Sequence, residues 1–129
     1  MIERSTDAAR IAFLSVETEH PLSLHDVGEF VSDARNICLV SEHGAAMFQW
    51  TGPKIYGGHI MMLNTGRGQH ALKVGRQMLG YMRGHGARLI WANVELDNRP
   101  ARWFVRKLGF VSLGIEDGRE QFWLEVANG

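Results

Sequence analysis

At 129 residues, 14.5 kDa and 45% hydrophobic content, the chain carries enough apolar surface for one core, so a single domain over residues 1–129 is expected. Its 14 basic residues balance 14 acidic ones, which argues against the strongly basic field that a nucleic-acid backbone demands. The N-terminal segment lacks the apolar stretch of a secretory leader and no apolar run approaches the ~18 residues of a membrane span, so a cytoplasmic protein without a membrane or nucleic-acid partner is expected.

Taken in chain order, Ser5 or Thr6 can cap a first helix with Ala8, Ile11, Ala12 and Ser15 at helical spacing, fading between Glu17 and Pro21. Ser23 opens a second helix. Its apolar stripe is Leu24, Val27, Phe30, Val31 and Ala34, and Asp26 stands three residues after the cap. From Asn36 the period shortens. Ile37 to Ser41, Ala45 to Trp50 and Lys54 to Leu63 read as three strands of an antiparallel meander, separated by His43-Gly44 and Thr51-Gly52-Pro53. The lone cysteine, Cys38, lies inside the first of these runs and reads as a buried hydrophobe.

Asn64-Thr65-Gly66-Arg67-Gly68 interrupts the third strand, and a helix follows with Ala71, Val74, Gly75, Met78 and Met82 on one face, ended by Gly84 and Gly86. Ala87 to Val94 is a further strand. Asn98 caps a shorter helix with Pro100 in its first turn, Ala101, Phe104, Val105 and Leu108 inward, and Gly109 past its end. Two last strands, Phe110 to Glu116 and Arg119 to Val126, are joined by Asp117-Gly118, a tight hairpin dipeptide. The fold class is therefore α/β, a mixed sheet (α+β in the sense of a meander) with one strand-helix-strand crossover.

Strand, Gly66-Arg67-Gly68, then helix puts free backbone N–H groups and the positive end of a helix dipole at one point, a place for an anion, with Arg67 and Lys73 adding charge. An ordinary glycine-rich turn is the competing reading, since the dinucleotide fingerprint GxGxxG is absent. The six histidines show no ligand spacing on one helix, and no metal is assigned. Of the four tryptophans, Trp103 falls off its helix's apolar stripe and is the one available to a substrate or a second subunit.

The run Met62-Leu63-Asn64-Thr65-Gly66-Arg67-Gly68 and its helix resemble the pyrophosphate-binding motif of the GNAT (GCN5-related) N-acetyltransferase superfamily. The string Asn98-Arg99-Pro100-Ala101-Arg102-Trp103-Phe104-Val105-Arg106-Lys107-Leu108-Gly109-Phe110 resembles that superfamily's second motif, in a compact variant similar to ribosomal-protein N-terminal and phage-encoded acetyltransferases. The resemblance implies the GNAT acyl-CoA N-acyltransferase fold and acetyl transfer from acetyl-CoA to an amine acceptor, a peptide N-terminus or a small amine, with no metal. It carries the cofactor-binding role onto Met62, Leu63, Asn64, Arg67, Gly68, Gln69, His70, Ala71, Lys73, Asn98 and Phe104. Counted from Arg67, the two positions where the family pattern has Gly and then Gly or Ala hold His70 and Leu72. Val105 stands where many members carry a tyrosine that protonates the departing thiolate. No conventional first strand is evident ahead of the two leading helices.

Within that resemblance, the third meander strand and the strand after the phosphate helix splay apart around the thioester. His59, on the former, is the catalytic base or else a histidine on the solvent face. Glu95, just beyond the latter, holds a water or the incoming amine or else is a solvated loop carboxylate. The alternative to an enzyme is a catalytically silent acyl-CoA-binding or interaction module of the same fold, and the last strands offer a surface for a homodimer.

Overall fold

The computed structural model describes residues 2–16, 21–62 and 68–126. Its first element is one the sequence does not announce: a strand β1 (Glu3–Arg4), pairing antiparallel with β2 (Ile37–Val40) through Glu3↔Val40 and Arg4↔Leu39. Two exposed residues are too few to display alternation. Arg4 fastens this strand by donating from its guanidinium to the carbonyls of Ala34 and Asn36, both at 3.1 Å.

Helix α1 (Ala8–Leu14) starts later than Ser5 or Thr6 would set it, because the Asp7 carboxylate accepts from the Arg10 N–H at 3.2 Å while the Ser5 hydroxyl accepts from the Asp7 N–H. Ile11 and Leu14 are its buried residues, and the buried Ser15 hydroxyl donates to the Ala12 carbonyl and accepts from the Leu22 N–H, tying α1 to the next segment. Helix α2 (Leu24–Ser32) is capped by Ser23, which accepts from the Asp26 N–H at 3.0 Å. Its inward stripe is narrower than the sequence indicates. Val27 is fully buried and Phe30 and Val31 are partly so, but Leu24, the first helical residue, projects into solvent, and Ala34 lies beyond the end of the helix.

Strands β2, β3 (Gly44–Gly52) and β4 (Ile55–Met62) form the meander. Alternation sorts their side chains onto two faces. Cys38, Val40, Ala45, Met47 and Met61 pack with Ile11, Leu14 and Val27 of the leading helices, while Ile37, Leu39, Ala46, Phe48, Tyr56 and Met62 meet α3 (Gln69–His85) through Ala71, Val74, Met78 and Met82. Burial pushes the Cys38 thiol up to about 12, which leaves it an inert hydrophobe. Helix α3 runs through Gly84 and stops at Gly86.

The crossover leads from β4 through α3 to β5 (Leu89–Glu95), which runs parallel to β4. Helix α4 (Arg99–Lys107) follows, capped by the Asn98 side-chain oxygen Oδ1, which accepts from the Ala101 N–H at 3.2 Å, with Pro100 in its first turn. The chain closes with β6 (Val111–Glu116) and β7 (Arg119–Glu125), joined by Asp117 and Gly118 at φ 54° and 76°, the pair of positive values a type I′ turn requires. Strand β7 inserts between β5 and β6, giving one 7-stranded sheet in the order β1-β2-β3-β4-β5-β7-β6 with β4/β5 as its parallel pair. No helix among the described residues is long and apolar enough to cross a membrane.

Candidate functional site

Strands β4 and β5 pair through Ile55↔Leu89, Tyr56↔Ile90 and Gly57↔Trp91, and among the described residues they then separate, leaving Gly58 to Met62 and Ala92 to Glu95 facing each other across a gap. The last pair sits where the Trp91 indole lies across a bare backbone: a Cβ on Gly57 would stand 2.6 Å from Trp91 Cζ2. The Trp91 indole N–H donates to the Thr51 hydroxyl at 3.1 Å, so the ring is held in that position. Gly57→Val is accordingly expected to cost about 1–3 kcal/mol by overpacking. A urea melt checks this, and an unchanged midpoint would mean that the ring moves aside freely.

The gap opens into a cavity of about 700 Å³, within the size range of small-molecule sites. Its apolar wall comes from Phe48, Ile60, Met62, Ile90, Ala92 and Val94, with Ala101, Phe104 and Val105 of α4 opposite. Polar groups gather around it: His59 on β4, Asn93 and Glu95 on β5, Asp97 and Asn98 ahead of α4, and Arg119 on β7. Alternation puts His59 on the face opposite to Ile60, and Glu95 on the face opposite to Val94. His59 is exposed. Glu95 is the last residue of β5 rather than a residue beyond it, half-buried, with an Arg119 guanidinium nitrogen 3.9 Å from its carboxylate.

At one end of the cavity stand Gly68 and Ala71, at the start of α3. Gly68 is the N-cap at φ 84°, a conformation that favours glycine, and it makes no side-chain capping bond. The first intrahelical bond runs from the Leu72 N–H to the Gly68 carbonyl at 3.2 Å. The N–H groups of Gln69, His70 and Ala71 therefore precede the helical ladder, at the positive end of a 17-residue helix dipole. That arrangement suits a phosphate.

The sequence-predicted residues divide into three groups. Met62, His59, Gly68, Ala71, Glu95, Asn98 and Phe104 all line the one cavity. Gln69, His70 and Lys73 are exposed on the first two turns of α3 outside its lining, with the His70 ring edge-on to His43 at 6.0 Å. Leu63, Asn64 and Arg67 lie outside the described residues. The bulk at Leu72 is absorbed by the core, where that side chain is buried in the cluster that joins α3 to the sheet and α4. Val105 lines the cavity without offering a hydroxyl.

Sequence reasoning passed over Asn93, Asp97 and Arg119. Asn93 is two residues from Glu95 on the same strand face, a period that could have found it; Arg119 arrives through the β5/β7 register, Glu95↔Arg119, for which no local signal exists. Trp103, 46% exposed, reaches the cavity rim as its position off the apolar stripe suggests. Among the described residues no three His, Cys, Asp or Glu side chains cluster so as to hold a metal ion.

No protein-family model and no curated protein matches the sequence. Solved structures do resemble the chain. A chimera of spermidine N-acetyltransferase SpeG from Vibrio cholerae and hSSAT superposes with a TM-score of 0.77 at 16% identity, over 98% of this chain and 96% of that one. The acetyltransferase-like yncA from Salmonella typhimurium, solved with its cofactor acetyl-CoA, gives 0.75 at 15% identity over 100% and 95%. A protein assigned as a phosphinothricin N-acetyltransferase gives 0.78 at 17% identity over 99% of both chains.

Proposed function

The chain has the GNAT fold, and from that premise we propose that it is an N-acetyltransferase moving an acetyl group from acetyl-CoA to a primary amine. The observation that supports this most directly is the gap between β4 and β5, opening into one cavity with the uncapped start of α3 at its end. A pyrophosphate fits there, on the N–H groups of Gln69, His70 and Ala71, with Arg67 and Lys73 supplying charge. Met62 would flank the acyl end, the role the motif resemblance also carries onto Leu63 and Asn64, and Asn98 and Phe104 would hold the pantetheine arm. Bound acetyl-CoA supplies an acetyl group already activated as a thioester.

In this reading the amine attacks directly within a ternary complex. Its nitrogen forms the bond to the carbonyl carbon, the carbon–sulfur bond breaks, the sulfur leaves as thiolate, and the amine proton passes to His59 or Glu95. Val105 donates no proton to the thiolate, whose modest basicity lets it leave unaided. A protein α-amino group, with a pKa of about 7.7–8 against about 10.4 for lysine, needs less help from a base, which favours a peptide N-terminus over a lysine side chain as acceptor.

Calorimetry with acetyl-CoA on the wild type and Arg67→Ala, followed by thiol release with peptide and small-amine acceptors, tests the proposal. Expected are binding weakened about ten- to a hundredfold without Arg67 and thiol released when an amine is present. Absence of binding would refute the reading. Binding without turnover on any amine would instead make the chain a silent acyl-CoA-binding module.

A further inference from the structure

Glu95 and Asn98 reach the cavity from a single turn, and the residue between them that fixes that turn is Leu96. Both of its backbone groups are engaged. The Leu96 N–H donates to the Gly118 carbonyl in the β6/β7 hairpin turn at 3.1 Å, and the Leu96 carbonyl accepts from Arg102 Nη1 at 3.0 Å. The Asn98 N–H closes the turn on the Glu95 carbonyl at 3.0 Å.

Arg102 does not line the cavity, although its neighbours Ala101 and Trp103 do. Its guanidinium is oriented from behind. Arg102 Nε donates to Glu120 Oε1 at 2.9 Å, and Glu120, only 4% exposed, is itself fixed through its other oxygen by the Ser112 hydroxyl at 2.6 Å and by Arg106. A planar fork with one prong on a buried carboxylate and another on a backbone carbonyl has little freedom left.

We propose that Arg102, set by Glu120, is a positioning residue: it locks the turn from Glu95 to Asn98 and so holds the Glu95 carboxylate and the Asn98 amide in place around the cavity. Its effect on catalysis rests on the transferase reading above, whereas its effect on the turn does not. Lysine at this position keeps the charge but has one ammonium group, which can serve Glu120 or the Leu96 carbonyl at full strength, not both.

The test compares Arg102→Lys with Arg106→Lys, whose side chain meets Glu120 but makes no bond to the turn. Four quantities are followed: melting temperature, amide hydrogen exchange at residues 96–98, and kcat and KM for acetyl transfer. For Arg102→Lys the expected result is a melting temperature within about 4 °C of wild type, exchange about tenfold faster or more in the turn, and kcat lower by about ten- to a hundredfold with little change in KM for acetyl-CoA. Arg106→Lys is expected to match the wild type in exchange and kcat. Wild-type exchange in Arg102→Lys, or equal losses in the two variants, would overturn the proposal. Should Arg102→Lys fail to fold, Arg102→Gln, uncharged and two atoms shorter, is put through the same comparison. If the wild type acetylates nothing, the transferase reading falls and the exchange data alone decide the role of Arg102.

Discussion

Phe122→Ala is expected to lower the unfolding free energy by about 3–5 kcal/mol, equivalent to a fall in melting temperature on the order of 10–20 °C for a chain of this size. Phe122 is 1% exposed at the centre of β7, flanked in register by Ala92 of β5 and Ser112 of β6. It belongs to the core cluster that includes Val105, Leu108 and Phe110, and the Arg106 guanidinium carbon stands 5.2 Å from its ring centroid. Truncation removes the ring's transfer free energy, leaves a cavity among strands that cannot collapse without breaking two ladders, and forfeits the cation–π contact. Urea denaturation gives the number directly. A loss under about 1 kcal/mol would mean that the neighbouring side chains refill the space.

Glu120→Gln is the second change with a large expected effect, and its size depends on pH. The Ser112 hydroxyl, followed by the two arginines, holds the Glu120 carboxyl below the usual carboxylate range. A carboxyl whose folded value is depressed stabilises the fold above its unfolded value, near 4.3, and that contribution drains away as pH falls through the folded value. Glutamine removes the charge but keeps the volume, leaving Arg102 and Arg106 adjacent with no counter-charge. Breaking a fully buried pair costs about 3–5 kcal/mol; since the Arg102 and Arg106 side chains are 27% and 47% exposed, screening reduces the expectation to about 2 kcal/mol at neutral pH. Melting curves between neutral pH and pH 3 should show the gap between variant and wild type narrowing below about pH 4. A gap that stays constant down to pH 3 would refute the assignment of that stability to the charged carboxylate.

Local chemistry was legible where a few neighbouring residues decide the outcome. Ser23 and Asn98 cap the helices they were expected to cap, Asp117-Gly118 makes the hairpin turn, and the change of period at Asn36 marks the start of the meander. Some misreadings are local, as where Asp7 caps α1 in place of Ser5 or Thr6, and others come from distance along the chain. Strand β1 is recognisable only through its partner more than thirty residues away, and the exposure of Leu24 follows from which face of α2 meets the sheet around Val27 rather than from spacing alone. Glu120 looks in the sequence like an outward charge on a hairpin strand. Its burial follows from partners 14 and 18 residues upstream, on a helix whose outer face would otherwise be read as solvated.

The candidate site divides in the same way. His59 comes from β4, whereas Glu95, Asn98 and Phe104 follow one another through the end of β5, its turn and α4; all four line one cavity. What no motif carried is the tether from Glu120 through Arg102 to Leu96, because hydrogen bonds to a backbone carbonyl leave no mark on residue identity at the accepting end.

Between β3 and β4 the sheet has eight register pairs and between β5 and β7 seven, but β4 and β5 share three. The gap is thus also a fracture line: on one side lies a unit of β1–β4 with α1 and α2, on the other β5–β7 with α4, and α3 lies across the join as a splint. Few ladder bonds resist opening along that line, so, apart from the short terminal strand β1 with its two register pairs, it is the weak seam of the sheet. A molecule wedged in the gap and touching both walls acts there as a rivet, adding to the cohesion of the two halves by an amount set by its concentration relative to its dissociation constant.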